Sequence, residues 1–366
     1  MNLLSIGSDR KVFQQGSAVH SRLLEYGRCV GELHVVVFAK KSLGFKDESL
    51  HPNIFLYPTN SYTKAGYFWS AVKKGMMLKH KDITIDVVTV QDPFEAGFVG
   101  MVLSRAVGAG LHVQIHTDFM SPYFSKESLL NRLRVYLAKY TLRNADAVRV
   151  VSERIKKSIE SLVRPGIPVV VVPIFSEKKD TGFSARNLKK DYPQFEKHIL
   201  MASRLTPEKN IIIALEAMKE ITTKHSKIGL VIVGSGPEEK RLKDFVQKNN
   251  LTQNVVFEGW SENLGPYYKT ADVFLLTSNY EGYAMTVVEA LSFCCPVIMT
   301  DVGCAGEVVK DRENGLVVPV GDSGALTRAL VHVVTGGQRF KIEPLEVSDK
   351  ESRVKMICES WAAARK

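Results

Sequence analysis

The sequence predicts an α/β protein of two doubly wound parallel sheets. Short β-branched apolar runs alternate with helix-patterned segments along all 366 residues. The apolar runs are nearly continuous, as strands covered on both faces must be. The alternation is also run through twice, interrupted by the polar stretch SEKKDTGFSARNLKKDYPQFEK at residues 176–197, which reads as a linker and entry into a second domain. The expected division is 1–175, 176–348 and a last helix in 349–366 that packs back on the first domain.

In the first half, strands are read at NLLSI, LHVVVFA, IFLYP, DVVTVQ, HVQIH, AVRVVS and VVVVP, with helices at SAVHSRLLEYGRCVG and GFVGMVLSRAVGAG. In the second half the strands are HILMAS, IGLVIVG, NVVFEG, DVFLLT, PVIMT and GLVVPV. The helices there are EKNIIIALEAMKEITTKH, PEEKRLKDFVQKNN and GALTRALVHVVTG, and SDKESRVKMICESWAAARK ends the chain. In such sheets ligands bind at the carboxyl ends of strands, and two of them facing each other suit an enzyme that brings two ligands together.

A hydrophobic content of 45% with 24% charged residues is that of a globular protein. No run approaches a transmembrane span, and MNLLSIGSDRKVF reads as a first strand, not a signal peptide. The expected location is cytoplasmic. Cys29, Cys294, Cys295, Cys304 and Cys358 form no CxxC and no zinc spacing, so they are expected as small buried thiols in a reducing compartment. The formal charge of +10 is uneven: residues 1–175 hold 23 Lys and Arg against 14 Asp and Glu, and the rest hold 26 against 25. A basic first half points to an anionic partner or surface, or to a solvated face that keeps the protein soluble.

The chemistry concentrates in SNYEGYAMTVVEALSFCCPVI at 278–298, a strand-end loop running into a helix, with Glu281 and Glu289 eight positions apart. The helix start offers unpaired N–H groups and a positive dipole end for a phosphate. The two acids are placed to accept hydrogen bonds from hydroxyls on either side of it, the layout of a nucleotide sugar. After HILMAS, RLTPEKN sets Arg204 and Lys209 at another strand end, where two cations would complete a diphosphate site. VIVGSGPEE places Gly234 and Gly236 between strand and helix, which allows close backbone approach or simply a tight turn.

Taken in order, RLTPEKN, VIVGSGPEE, VVFEGW, ADVFLLTSNYEGYAMTVVEAL and PVIMTDVGCAGEVV…ENGLVVPVGD resemble the signature blocks of the glycosyltransferase family 4 enzymes. These are retaining transferases of the GT-B fold with an E-x7-E motif. The resemblance is close over 198–330 and looser over 1–175. It implies that Arg204 and Lys209 bind the donor diphosphate, Glu281 the transferred sugar and Glu289 the ribose. The amides of Ala284, Met285 and Thr286 meet the phosphates, Gly234 and Gly282 belong to the donor site, and Gly259 and Trp260 wall the base pocket. In the first half it makes His116, in VQIHTDF, the histidine over the reacting sugar, and Gly16, in QQGSAVH, the glycine beside donor phosphate and acceptor. His20 and Asp118 are weaker candidates. Departures from the family pattern are the single glycine of the first loop, Ala284 in place of a frequent glycine, Cys294–Cys295 in place of a small-residue–glycine pair, and IFSE where an Asn-Gly turn is usual.

The resemblance implies transfer of a hexosyl group from a nucleotide-diphosphate sugar, UDP or GDP type unresolved, to a glycan or lipid-linked acceptor. No D-x-D triplet precedes the site, so no metal and no other cofactor is expected. SKESLLNRLRVYLAKYTLRN at 125–144 mixes leucines with Arg and Lys; it reads either as a surface helix packing its leucines on the sheet or as one resting on an anionic bilayer. The rival functions are a nucleotide-sugar epimerase of the same architecture, a non-catalytic nucleotide-sugar binder, a dehydrogenase and a nucleic-acid binder. The dehydrogenase lacks a strand–GxGxxG–helix start, and the nucleic-acid binder lacks a recognisable module.

Overall fold

The computed structural model describes residues 1–174, 186–337, 340, 342, 343, 345 and 350–366. It divides into two compact units, one of residues 1–120, 128–173 and 348–366, the other of residues 121–127 and 174–347. The first ten residues of the expected linker, 176–185, lie outside the described residues.

The first unit runs β1 (Leu3–Gly7), α1 (Ala18–Gly27), β2 (Leu33–Val37), β3 (Glu48–His51), β4 (Ile54–Pro58), α2 (Tyr67–His80), β5 (Val87–Val90), α3 (Glu95–Val107) and β6 (Gly110–Ile115). The chain then passes through α4 (Pro122–Glu127), which belongs to the second unit. It returns as α5 (Leu129–Arg143), β7 (Ala147–Val150), α6 (Glu153–Ile159) and β8 (Val169–Val171). The sheet order is β3-β4-β2-β1-β5-β6-β7-β8. Every pairing is parallel except β3 with β4. That edge hairpin escaped the sequence reading because ESLH carries no apolar run and remains mostly exposed.

The second unit follows with α7 (Leu188–Asp191), β9 (Lys197–Ala202), α8 (Ile211–Thr222), β10 (Ile228–Val233), α9 (Glu239–Lys248), β11 (Val255–Gly259) and α10 (Gly265–Thr270). It continues with β12 (Val273–Leu276), α11 (Met285–Ser292), β13 (Val297–Thr300), β14 (Gly315–Val318) and α12 (Ser323–Val334). Its six strands are parallel, in the order β11-β10-β9-β12-β13-β14. The last helix, α13 (Lys350–Ala362), belongs to the first unit.

Burial explains the strands. Ile199, Leu230, Val273 and Ile298 face a layer made by Ala214, Met218, Leu326 and Leu330 of α8 and α12. In the first unit Leu3, Leu33, Val35 and Val87 pack with Leu23 of α1 and with Ile357 and Trp361 of α13. Each such large apolar side chain contributes about 1.5–3 kcal/mol on burial. Helix starts are set by side-chain caps: Ser17 accepts from the His20 amide at 3.1 Å, Ser128 from Asn131 at 3.1 Å and Asp322 from Ala325 at 2.8 Å.

Two expectations fail here. The cysteines are not all free thiols: Cys29, just past α1, and Cys358, on α13, are disulfide-bonded with Cα atoms 6.2 Å apart. Residues 329 apart in sequence meet because α13 packs beside α1, a proximity that local spacing does not reveal. Cys294 is exposed as well; Cys295 and Cys304 are the buried cysteines outside the disulfide, and burial pushes the Cys295 thiol up to about 12. The leucines at the start of α5 do not pack on the sheet either. Leu129, Leu130 and Leu133 are 75%, 52% and 66% exposed, while Asn131, Ala138, Thr141 and Leu142 form the buried face.

Candidate active site

The chain leaves β9 toward β10 and β11 on one side of the second sheet, and it leaves β12 toward β13 and β14 on the other. Neighbouring strands β9 and β12 therefore flank the topological switch point, where loops part and leave a crevice. Lys209 comes from the loop after β9 and Glu281 from the loop after β12. Lys209 Nζ donates to Glu281 Oε1 at 2.5 Å, and the two side chains are only 14% and 12% exposed. Ser278 Oγ donates to the same Oε1 at 2.7 Å. Both protein donors thus sit on one carboxylate oxygen. Among the described residues, Oε2 has no partner.

The loops are laced together behind that pair. Thr277 Oγ1 donates to the Lys209 carbonyl at 2.9 Å, the Asn279 amide to the Glu208 carbonyl at 2.8 Å, and Asn210 Nδ2 to Asn279 Oδ1 at 3.0 Å. Thr300 Oγ1 holds the Ser278 carbonyl at 2.7 Å. Arg204 stands further out, 68% exposed, with Nη2 3.0 Å from Glu208 Oε1. The two expected cations are present, each already resting on a carboxylate. A guanidinium carries five N–H donors and an ammonium three, so both retain donors for an anionic ligand.

Past Glu281, Gly282 is buried and α11 begins at Met285 behind Ala284, whose φ of 68° is left-handed. Met285 and Thr286 are half-buried and supply first-turn amides, which have no acceptor within their own helix. Glu289 lies one turn on. Its Oε2 accepts from Tyr268 Oη at 3.1 Å, and among the described residues Oε1 has no partner. Tyr268 is 2% exposed; burial, together with Glu289, holds its phenol well above its ordinary range and so protonated. The E-x7-E carboxylates are therefore alike: the protein fixes one oxygen of each and leaves the other open.

Gly234 directly follows β10, and its amide donates to the Gly259 carbonyl at 2.6 Å. A Cβ on Gly234 would lie 1.8 Å from the Ser203 carbonyl oxygen, and one on Gly236 2.3 Å from that of Leu205. These glycines serve the close approach of the loop that carries Arg204. Trp260, after β11, is 66% exposed.

Gly16 and His116 belong to the first unit, whose own switch point lies between β1 and β5. Gly16 sits in the exposed loop after β1 with φ 79°. His116 follows β6 and is half-buried. Burial, then Arg149 and Arg22, push its imidazole down to about 3, so it is neutral near pH 7. His112 is fully buried, bonded to Thr89 Oγ1 at 2.8 Å and likewise pushed down to about 3 by burial and Arg149. Arg149 is 6% exposed and bonds Gln114 Oε1 at 2.9 Å and the Val172 carbonyl at 3.3 Å. Among the described residues no carboxylate pairs with it. His20 caps back onto the Val12 carbonyl at 3.1 Å, a local structural bond, and Asp118 is half-buried beyond His116.

Two family descriptions match successive parts of the chain: "Glycosyl transferase 4-like domain" over residues 52–174 and "Glycosyl transferases group 1" over residues 186–341. The chain belongs to the family 4-like glycosyltransferases of the GT-B fold. Among relatives, an uncharacterized glycosyltransferase of Methanocaldococcus jannaschii is 30% identical over 48% of this chain and 45% of its own length. The N-acetyl-alpha-D-glucosaminyl L-malate synthase of Bacillus anthracis is 24% identical over 84% and 80%. The alpha-monoglucosyldiacylglycerol synthase of Streptococcus pneumoniae is 27% identical over 69% and 60%. The chain thus spans less than two thirds of the first and third of these. Among solved structures, sucrose-phosphate synthase from Thermosynechococcus elongatus has a TM-score of 0.73 at 19% identity, covering 100% of this chain and 95% of that one. Anabaena HepE in complex with UDP-glucose has 0.67 at 19%, covering 100% and 94%.

The chain places beside the predicted residues others that the sequence reading did not name. Tyr268 and Ser278 orient the two glutamates, yet each lies in a run that reads simply as helix or loop. In the first unit Asp92 follows β5 at the switch point, capping the Phe94 and Ala96 amides at 2.8 and 3.3 Å. Burial pushes its carboxyl up to about 6. Its signal was QDPFEAG, a strand end followed by Asp-Pro and a helix start.

Proposed function

We propose that this protein moves a hexosyl group from a nucleoside-diphosphate sugar to an acceptor hydroxyl, with retention of configuration and without an obligatory metal ion. The observation that carries this is the pair of half-occupied carboxylates, Glu281 and Glu289, on either side of the α11 N-terminus. The outward oxygen of Glu281 accepts from hydroxyls of the transferred sugar, that of Glu289 from the ribose, and the Met285 and Thr286 amides meet the diphosphate between them. Lys209 turns spare donors on the same diphosphate, and Arg204 reaches it from the exposed side. These charges stabilise the leaving group as its bond to the sugar breaks, the task a metal performs elsewhere. The relative solved with UDP-glucose supports a donor of that class.

Retention follows if the acceptor oxygen attacks the anomeric carbon on the face the phosphate leaves. The carbon–oxygen bond to the β-phosphate breaks, the new glycosidic bond forms, and the acceptor proton passes to the departing phosphate oxygen. His116, neutral near pH 7, can accept or donate a hydrogen bond to a hydroxyl without adding charge, and the roles proposed for His116 and Gly16 are those the family resemblance gives them.

We further propose a lipid-linked acceptor presented at an anionic bilayer. Tyr136 and Tyr140 of α5 are 72% and 47% exposed beside the exposed leucines, and Arg132, Lys139 and Arg143 share the helix, a combination suited to a charged interface. Among the described residues no helix is long and apolar enough to cross a membrane. The lipid-glycosylating relative from Streptococcus pneumoniae supports that class of acceptor.

One experiment tests the reading. Donor hydrolysis is measured in EDTA for UDP-glucose, UDP-N-acetylglucosamine and GDP-mannose, with and without phosphatidylglycerol vesicles. Wild type should turn over one donor and co-float with the vesicles, and Glu281→Ala and Arg204→Ala should lose about 10²–10³-fold in turnover. Metal-dependent turnover, a glycosyl–enzyme adduct on an acidic side chain, or flotation indifferent to anionic lipid would each overturn the corresponding part.

A further inference from the structure

Residues 121–127, well ahead of the break near residue 174, fold with the second unit. Their helix, α4, packs against the turn Pro207–Lys209. The Phe124 ring stands edge-on to Tyr280 with centroids 5.5 Å apart. Tyr280 Oη donates to the Glu127 carboxylate, and Tyr123 Oη donates to the Val320 carbonyl at 3.4 Å. Tyr280 is 9% exposed and immediately precedes Glu281. Its phenol is held above its ordinary range by burial and by Glu127, so it stays a donor throughout the working pH range.

The loop Ser278–Tyr283 has two sides to fix. Behind Glu281, Ser278 is tied by Thr300, and Asn279 by Glu208 and Asn210. Those bonds set where the loop leaves β12. Beyond the joint, Lys209 and Ser278 hold Glu281 Oε1, and the Cys304 amide holds the Tyr283 carbonyl. At Tyr280 itself, the ring contact with Phe124 and the bond to Glu127 add the grip on the backbone that carries Glu281.

We propose that Tyr280 and Glu127 are positioning residues for Glu281, so that α4, lent by the first half of the chain, sets how tightly the sugar of the donor is held. Neither touches donor: Tyr280 acts through the adjoining backbone, and Glu127 acts through Tyr280. The inference rests on the donor reading above. It predicts a selective effect, in which affinity for the sugar portion falls while the diphosphate and nucleoside contacts made by Lys209, α11 and Glu289 remain.

The test is calorimetric titration of wild type, Tyr280→Phe, Glu127→Gln and Tyr123→Phe. The ligand is the tightest of UDP-glucose, UDP-N-acetylglucosamine and GDP-mannose, and its own nucleoside diphosphate is the sugar-free arm. Tyr280→Phe keeps the ring and Glu127→Gln keeps the shape; each should weaken the sugar nucleotide about ten-fold and raise its KM, with the nucleoside diphosphate within two-fold of wild type. Tyr123→Phe, which alters α4 away from the joint, should leave both arms unchanged. Equal loss in both arms, or no loss in either for both Tyr280→Phe and Glu127→Gln, overturns the positioning role. Wild type that binds none of the three donors overturns the donor reading itself, a distinct result.

Discussion

The two units wrap similar parallel sheets, yet they treat charge at their strand ends in opposite ways. In the second unit every cation of the switch point rests on an acid: Lys209 on Glu281 and Arg204 on Glu208. The site is nearly self-neutralised and geometrically fixed before any ligand arrives. In the first unit Arg149 lies buried on Gln114 and a carbonyl, beside His112 and His116, whose imidazoles are kept neutral. One unit meets its buried charge with counter-charge, and the other spreads it over neutral acceptors and suppresses further protonation. A paired site suits a ligand that brings both an anion and hydroxyls, since an incoming diphosphate shares cations already aimed at the crevice. An unpaired buried guanidinium instead makes its surroundings intolerant of more positive charge.

The largest effect that would break this comparison lies in the second unit. Gly234, at φ 147°, faces the Ser203 carbonyl at a distance no side chain can occupy. Gly234→Ala should therefore displace the Arg204 loop, at about 3 kcal/mol from strain and overpacking together, read as a lower urea midpoint with unchanged m-value. The matching change in the first unit, Gly16→Ala, meets no atom within 4 Å. It should cost only the left-handed backbone term of about 1 kcal/mol. Equal losses at the two sites would mean that the second unit's loops are no more tightly constrained than those of the first.

The pH dependence of stability sharpens the contrast next. His112 and His116 have folded values near 3 against an ordinary 6.5, so between those limits the unfolded chain binds more protons and stability falls as pH falls. Asp92 works the other way. With a folded value near 6 against 3.8, it is protonated more readily in the folded state, and its contribution is lost as pH rises through that interval. Each group is worth about 1 kcal/mol per pH unit in its window. Between pH 4 and 6 Asp92 partly cancels the histidines, and Asp92→Asn should steepen the acid loss there. Urea titrations at half-unit steps check it; an unchanged slope would remove Asp92 from the balance.

Much of this was legible in the sequence, and the second unit most of all. Its strands are near-continuous apolar runs, and its loops are short, ordered blocks whose residue types state their chemistry, so Lys209, Arg204, Glu281 and Glu289 could be named before their geometry was known. What escaped was pairing at a distance. Tyr280 meets Glu127 across 153 positions, Lys209 meets Glu281 across 72, and Cys29 meets Cys358 across 329. Periodicity carries no trace of such contacts. The membership of α4 in the second unit was hidden for the same reason, and the exposed leucines of α5 because an amphipathic pattern states that a helix has an apolar face, not what covers it.

The smallest effect concerns Ala284, where this chain departs from the glycine frequent in the family. At φ 68° the alanine holds a left-handed conformation that costs a residue with a Cβ about 1–2 kcal/mol. Glycine would remove that strain and return part of the gain as extra freedom in the unfolded chain, about 0.5–1 kcal/mol. Ala284→Gly should therefore stabilise the protein by about 0.5–1 kcal/mol, visible as a small rise in Tm. Strain retained at the mouth of α11, where amides and the Glu281 loop converge, is expected where a backbone is held for a ligand and not for stability. The gain in Tm should then come with a looser donor site and a modestly higher donor KM. A gain in Tm with donor KM unchanged would show that alanine at this position is a tolerated cost of sequence drift, unconnected with the chemistry at the switch point.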